Sequence, residues 1–138
     1  MESLDLTKAP PRSPYAELGG LYMLARTIDK IRATLPGGNL GAYQIDGFSR
    51  RMLDALVIPE DDLRAVIALA NTDDEVLAWV RKHGDTSKIA EINAGLEELT
   101  VAQRLDRPDW MAKYPVAKTL PPETKLLRVL ELDDEMSW

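Results

Sequence analysis

Apolar residues recur along most of this chain at three- and four-residue spacing, the period of helices packed on one face. In residues 21–35 the side chains of Leu21, Leu24, Ala25, Ile28, Ile31 and Leu35 fall on one arc, and Pro36-Gly37-Gly38 ends the segment. Asp46 is placed to cap a short helix through Leu56 that turns Phe48, Met52, Leu53 and Leu56 inward. Pro59 suits the first turn of a third helix, to about Ala70, with Leu63, Val66 and Ile67 inside. Thr72 and Glu75 have capping-box spacing for a fourth, which buries Val76, Trp79 and Val80 and stops at Gly84, read as a left-handed terminator. Asp85 or Thr86 caps a fifth, with Ile89, Ile92, Leu96 and Leu99 inside.

The flanks lack this period. Pro10, Pro11 and Pro14 keep residues 1–18 out of a helix and make them an arm, and Gly19-Gly20 frees the backbone behind it. Residues 101–121, broken by Pro108, Pro115 and Pro121, read as irregular, pinned to the body by Trp110 and Tyr114. Pro121-Pro122 opens a last segment. Periodicity alone leaves residues 126–132 open between helix and strand; the proline start and straight-chain residues favour helix. The expected fold is mainly α, a compact bundle of five to six short helices with an irregular N-terminal arm and a long irregular stretch before the last helix. It is read as one domain, 1–138: arm 1–18, helical body 19–100, irregular segment 101–121 and C-terminal helix 122–138.

Composition narrows the function classes. Apolar residues are 45% of the 138 and charged residues 29%, which is globular composition. Cysteine is absent, so disulfides, thiolate catalysis and cysteine-bound zinc are excluded. Residues 1–14 have no apolar signal-peptide core, and no apolar run approaches the length of a membrane span. A cytoplasmic protein without membrane attachment is expected. The net charge of −6 argues against nucleic acid as a partner. The charge is uneven, however: residues 1–51 carry seven basic and five acidic side chains, so an anion site belongs in that third.

Arg32 stands out because it falls within the apolar arc of the first helix, between Leu21 and Ala25, where an unpaired charge is very costly. Asp29 is one turn earlier and Tyr22 lies beside it. Arg32 with Asp29 is read as a structural ion pair or as the wall of a pocket for a polar or anionic molecule, with Arg32 snorkelling to the edge as the third reading. Arg26 and Lys30 lie opposite the core arc, as a solvated face, as part of an interface, or as an anion site completed by Arg12 of the arm. Leu18-Gly19-Gly20 before a helix start is a weak anion signal, and no phosphate-binding glycine motif is present. His83, the only histidine, reads as a satisfied side chain in a helix last turn. The acidic runs at Asp61, Asp73 and Asp133 do not amount to a metal site, and no cofactor is expected.

Residues 6–14 (Leu-Thr-Lys-Ala-Pro-Pro-Arg-Ser-Pro), Leu18-Gly19-Gly20 and residues 23–33 (Met-Leu-Ala-Arg-Thr-Ile-Asp-Lys-Ile-Arg-Ala) resemble the opening of a family of small bacterial proteins known as domain of unknown function 5069. Gly41-Ala42-Tyr43, residues 46–56 and residues 75–80 fit more loosely. The resemblance implies a bacterial, cytoplasmic, stand-alone domain and brings no activity or catalytic residue with it.

Three functions follow from these residues. The first is a binding module for a small polar or anionic ligand at the arm and first helix, using Arg12, Ser13, Tyr22, Arg26, Asp29, Lys30 and Arg32. The second is an interaction or adaptor domain, as a homodimer, using exposed apolar residues of the C-terminal third with Trp138. The third is an enzyme with Asp29 as base and Arg32 as electrostatic stabiliser.

Overall fold

The computed structural model describes all 138 residues. It holds seven α-helices: α1 (Leu24–Arg32), α2 (Phe48–Leu56), α3 (Glu60–Leu69), α4 (Asp73–His83), α5 (Ile89–Glu97), α6 (Pro108–Lys113) and α7 (Leu126–Ser137). There is no β-strand; backbone pairing outside the helices is limited to three isolated bridges. The mainly α architecture therefore stands, with one helix more than the pattern predicts. None of the helices is long and apolar enough to cross a membrane.

α1 is the hub. Every residue from Leu24 to Ile31 is buried, charged ones included. α2 and α3 pack against it, α4 packs on α3, and α5 bridges α2 and α7. Leu21, Met23, Leu24, Ile28 and Ile31 from this region join Met52, Leu56, Leu63, Ile67, Val80 and Leu127 in the main core. A second, smaller cluster of Val101, Val116, Ala117, Leu126 and Val129 sits under α7.

α1 is shorter at both ends than residues 21–35. Leu18 and Leu21 exchange backbone hydrogen bonds of 3.1 and 3.0 Å across Gly19-Gly20. Both glycines have positive φ, the geometry of a primed two-residue turn that only glycine adopts freely. A Cβ on Gly19 would lie 2.5 Å from Leu77 Cδ1, so the turn also seats directly on α4. The chain cannot enter a helix until it has left this turn. The arm then loops round the far end of α1: Leu6 N–H donates to Asn39 O at 2.8 Å and Asn39 N–H to Leu4 O at 2.9 Å.

Other boundaries move for local reasons. Gly47 rather than Asp46 precedes α2. Asp85 accepts from Ser87 in a turn and does not cap α5, which begins only at Ile89. Gly84 is not left-handed: its φ is −98°, and what it supplies is space, since a Cβ would meet Ile58 Cδ1 at 2.7 Å. Thr72 does cap α4, accepting from Glu75 N–H. Residues 101–121 are not irregular. They form 3-10 turns at Val101–Arg104 and Pro115–Thr119 with α6 between, and two of these pieces are started by a proline. Each is too short to show a helical period. Residues 126–132 are helical, as part of α7.

Ile28 is wholly buried at the centre of the core. Ile28→Ala is expected to cost about 2–5 kcal/mol in denaturant unfolding, whereas an exposed change such as Ala55→Ser should stay within about 0.5 kcal/mol.

Candidate functional site

The charged flank of α1 does not face solvent. Arg26 is 2% exposed and Lys30 8%. Their polarity places them opposite the core, but the 41–48 loop and α7 cover that side as well. Arg26 Nη1 donates to Asp134 Oδ2 of α7 at 2.6 Å and to Arg12 O at 3.2 Å. Its Nε is buried and has no acceptor. Lys30 Nζ makes one hydrogen bond, to the backbone carbonyl of Gln44 at 2.9 Å, and no carboxylate lies within ion-pair distance of it. Asp134 is shared further, since Tyr43 Oη donates to its Oδ1 at 2.8 Å. Of two buried cations one turn apart, Arg26 has a carboxylate in ion-pair contact and Lys30 has none.

Both cations line a cavity of about 660 Å³ between α1, the 41–48 loop, α6 and α7. Met23, Leu126 and Leu130 form apolar wall, and Tyr43, Phe48, Trp110, Tyr114 and Trp138 bring aromatic rings to it. Arg51, Arg104, Arg107 and Lys113 add four more cations, against the carboxylates Asp46 and Asp133. Arg51, Arg104 and Arg107 take part in none of the protein's ion pairs. A chain of net charge −6 therefore has a cavity lined predominantly by positive charge.

Titration behaviour reflects that imbalance. Burial, then the charge of Arg26, lowers Lys30 to about 8, although Asp46 and Asp134 oppose the shift. Arg104 is pushed below its ordinary value by burial and by Arg107 and Arg51. Burial, then Asp134, raises Asp133 above the usual carboxylate range. Burial raises Tyr43 and Tyr114 to about 12, so both phenols remain hydrogen-bond donors at neutral pH.

The seven residues proposed from sequence divide between separate places. Only Arg26 and Lys30 reach this cavity. Arg12 packs on the other flank of α1, where its guanidinium joins Asp29 to Asp73: Nη2 lies 3.0 Å from Asp29 Oδ1 and Nη1 2.7 Å from Asp73 Oδ2. Its backbone N–H also donates to Asp29, at 2.8 Å. Those two carboxylates raise the Arg12 pKa, Asp73 contributing most. Asp29 is thus paired with Arg12 rather than Arg32. Arg32 is only half-buried and donates to Glu2 O at 2.8 Å, because α1 ends there and the arm crosses over it. Ser13 bonds Glu131. Tyr22 packs edge-on against Tyr15, and its N–H donates to Asn93 at 3.0 Å. His83 is exposed, stacked on Trp79 at 4.7 Å.

Periodicity had no means of finding Asp134, Tyr43, Arg51, Arg104, Arg107 or Lys113. They lie on a loop, a 3-10 turn and three helices, and Asp134 is 108 residues from Arg26. One available signal was cation spacing: Arg104, Arg107 and Lys113 cluster around Trp110 and Tyr114 within ten residues of sequence.

Two stability outcomes follow. Asp134→Ala leaves Arg26 buried without a carboxylate and is expected to cost about 3–5 kcal/mol. Lys30 binds its proton less tightly folded, near 8, than unfolded, at 10.5. The unfolded chain therefore holds more protons between those values, and stability rises with pH across that window. Below it the buried ammonium costs about 3 kcal/mol. Lys30→Met should melt higher than the parent near neutral pH, with the gap closing toward about pH 10 in paired thermal melts.

A comparison with curated proteins returned no match. The family model described as "Domain of unknown function (DUF5069)" matches residues 8–135, which spans the arm from Lys8, all of α1 and nearly all of α7. The chain belongs to this DUF5069 family.

Proposed function

We propose that this protein is a binding module for a small organic anion, one with a flat apolar body and a carboxylate or phosphate group. The observation that carries the reading is the pair of buried cations lining the cavity from α1, Arg26 and Lys30, of which only Arg26 has a carboxylate in ion-pair contact. Charge removed from water needs an opposite charge close by; Asp134 pairs Arg26, while Asp46 and Asp134 act on Lys30 only from beyond ion-pair distance. A ligand anion would pair Lys30.

The cavity's size and lining support the same reading. About 660 Å³ is in the range of small-molecule sites, which are mostly apolar with a few placed polar groups. Trp110 and Tyr114, 4.9 Å apart, supply a ring surface on one side. Arg51, Arg104 and Arg107 would draw an anion toward the cavity and would not need to be stripped from existing ion pairs to do so. Arg12, Asp29 and Arg32 have no part in this reading: they line a separate cleft, in which Arg12 and Asp29 pair with each other and Arg32 Nε donates to Glu2 O.

Calorimetric titration with terephthalate, phenyl phosphate and uncharged benzamide tests it. Binding of at least one dianion, none of benzamide, and a loss of about tenfold or more in Arg107→Ala are expected, with affinity falling as salt rises. Arg107 is exposed, so this variant leaves the core intact. Equal binding of benzamide, or no binding by any of the three, overturns the proposal.

A further inference from the structure

We infer that Lys30 is a carbonyl-reactive amine, and that the cavity takes a carboxylate-bearing aldehyde or ketone which it holds as a reversible Schiff base. The inference rests on the binding reading above and deepens it by naming the chemical class of the ligand.

Lys30 is the one buried lysine of the chain. Its Nζ is held by a single hydrogen bond to a peptide carbonyl, which can accept from an ammonium or from a neutral amine. No carboxylate within ion-pair distance locks it in the charged form. Arg26, one turn earlier on the same flank, is a permanent cation that disfavours a second positive charge and could hold a ligand carboxylate. Desolvation and a cationic neighbour are the two means by which a lysine is made nucleophilic near neutral pH. The other charged or titratable groups bearing on Lys30 are Asp46 and Tyr43 of the loop, Lys113 of α6 and Asp134 of α7. Asp46 and Asp134 favour the ammonium, yet burial and Arg26 outweigh them.

The chemistry balances without a further reactant. The Nζ lone pair attacks the carbonyl carbon; the C–N bond forms as the C=O π pair moves to oxygen. A proton passes from nitrogen to that oxygen, giving a carbinolamine. The hydroxyl leaves as water with one more proton, the nitrogen lone pair closes the C=N bond, and the nitrogen's remaining proton is released. The sum is one carbonyl and one amine to one imine and one water, with no oxidant. Asp133 and Tyr114 line the same cavity and place a carboxyl and a phenol where the protons of the dehydration can pass.

The test uses the full chain with 4-formylbenzoate, followed by borohydride reduction, intact mass and peptide mapping. One adduct is expected, on the peptide holding Lys30, formed at least about tenfold faster than at any other lysine. Terephthalate should suppress it. It should be absent in Lys30→Met and in Lys30→Arg, the second of which keeps the charge, and present in Lys82→Met, a change at an exposed lysine outside the cavity. Adducts spread over the exposed lysines, or no adduct in a protein that binds terephthalate by calorimetry, overturn the inference and leave the binding reading standing. Failure of terephthalate and phenyl phosphate to bind as well removes both.

Discussion

Everything distinctive in this protein depends on the burial of a charged helix flank. α1 carries Arg26 and Lys30 into the interior, where Asp134 of α7 pairs Arg26 and no carboxylate pairs Lys30. An apolar flank would make a better core at lower cost, since replacing buried ion pairs with well-packed hydrophobes is often neutral or stabilising. Retaining two cations here is therefore an expense that stability alone does not explain. α7 has to close over them to bring Asp134 within reach, and the 41–48 loop has to present the Gln44 carbonyl to Lys30. The cavity is the space those elements leave above the pair.

The opposite flank of α1 shows what a closed arrangement looks like. Asp29 is one buried charge, and Arg12 meets it through its backbone N–H, Nε and Nη2 while its guanidinium also donates to Asp73 and to Ala25 O. That cluster ties the arm to α1 and to the start of α4. Its charges are paired with one another, although the cluster also lines a cleft with Arg32 and Asn71. On the Arg26 side Nε lacks an acceptor, Lys30 has one neutral partner, and three nearby arginines have no ion pair. The two flanks of one nine-residue helix thus hold charge in opposite ways.

Much of the fold was legible in the apolar spacing because α2 to α5 each bury one face and expose the other. α1 was misread for the same reason. Polarity assigns a face to solvent, so a helix buried all round but charged on one flank has the pattern of an amphipathic surface helix. Arg32 was the reverse case: its angular position falls among apolar residues, but α1 ends there and the side chain reaches the arm. α6 was missed because six residues are fewer than two turns. Of the cavity, α1 supplied Arg26 and Lys30 to the sequence-based set, whereas the carboxylate that pairs Arg26 depends on how α7 docks. A contact over 108 residues leaves no local signature.

The charge imbalance around Lys30 can be read directly. A titration of the free protein, followed by NMR at the Lys30 side-chain ε carbon and repeated with a saturating aromatic dicarboxylate, reports how far the buried ammonium is left unanswered. A midpoint near 8 in the free protein is expected, moving upward when the anion supplies the missing negative charge. A midpoint at the ordinary lysine value of 10.5, unmoved by the anion, would contradict a cavity built around an under-neutralised pair of cations.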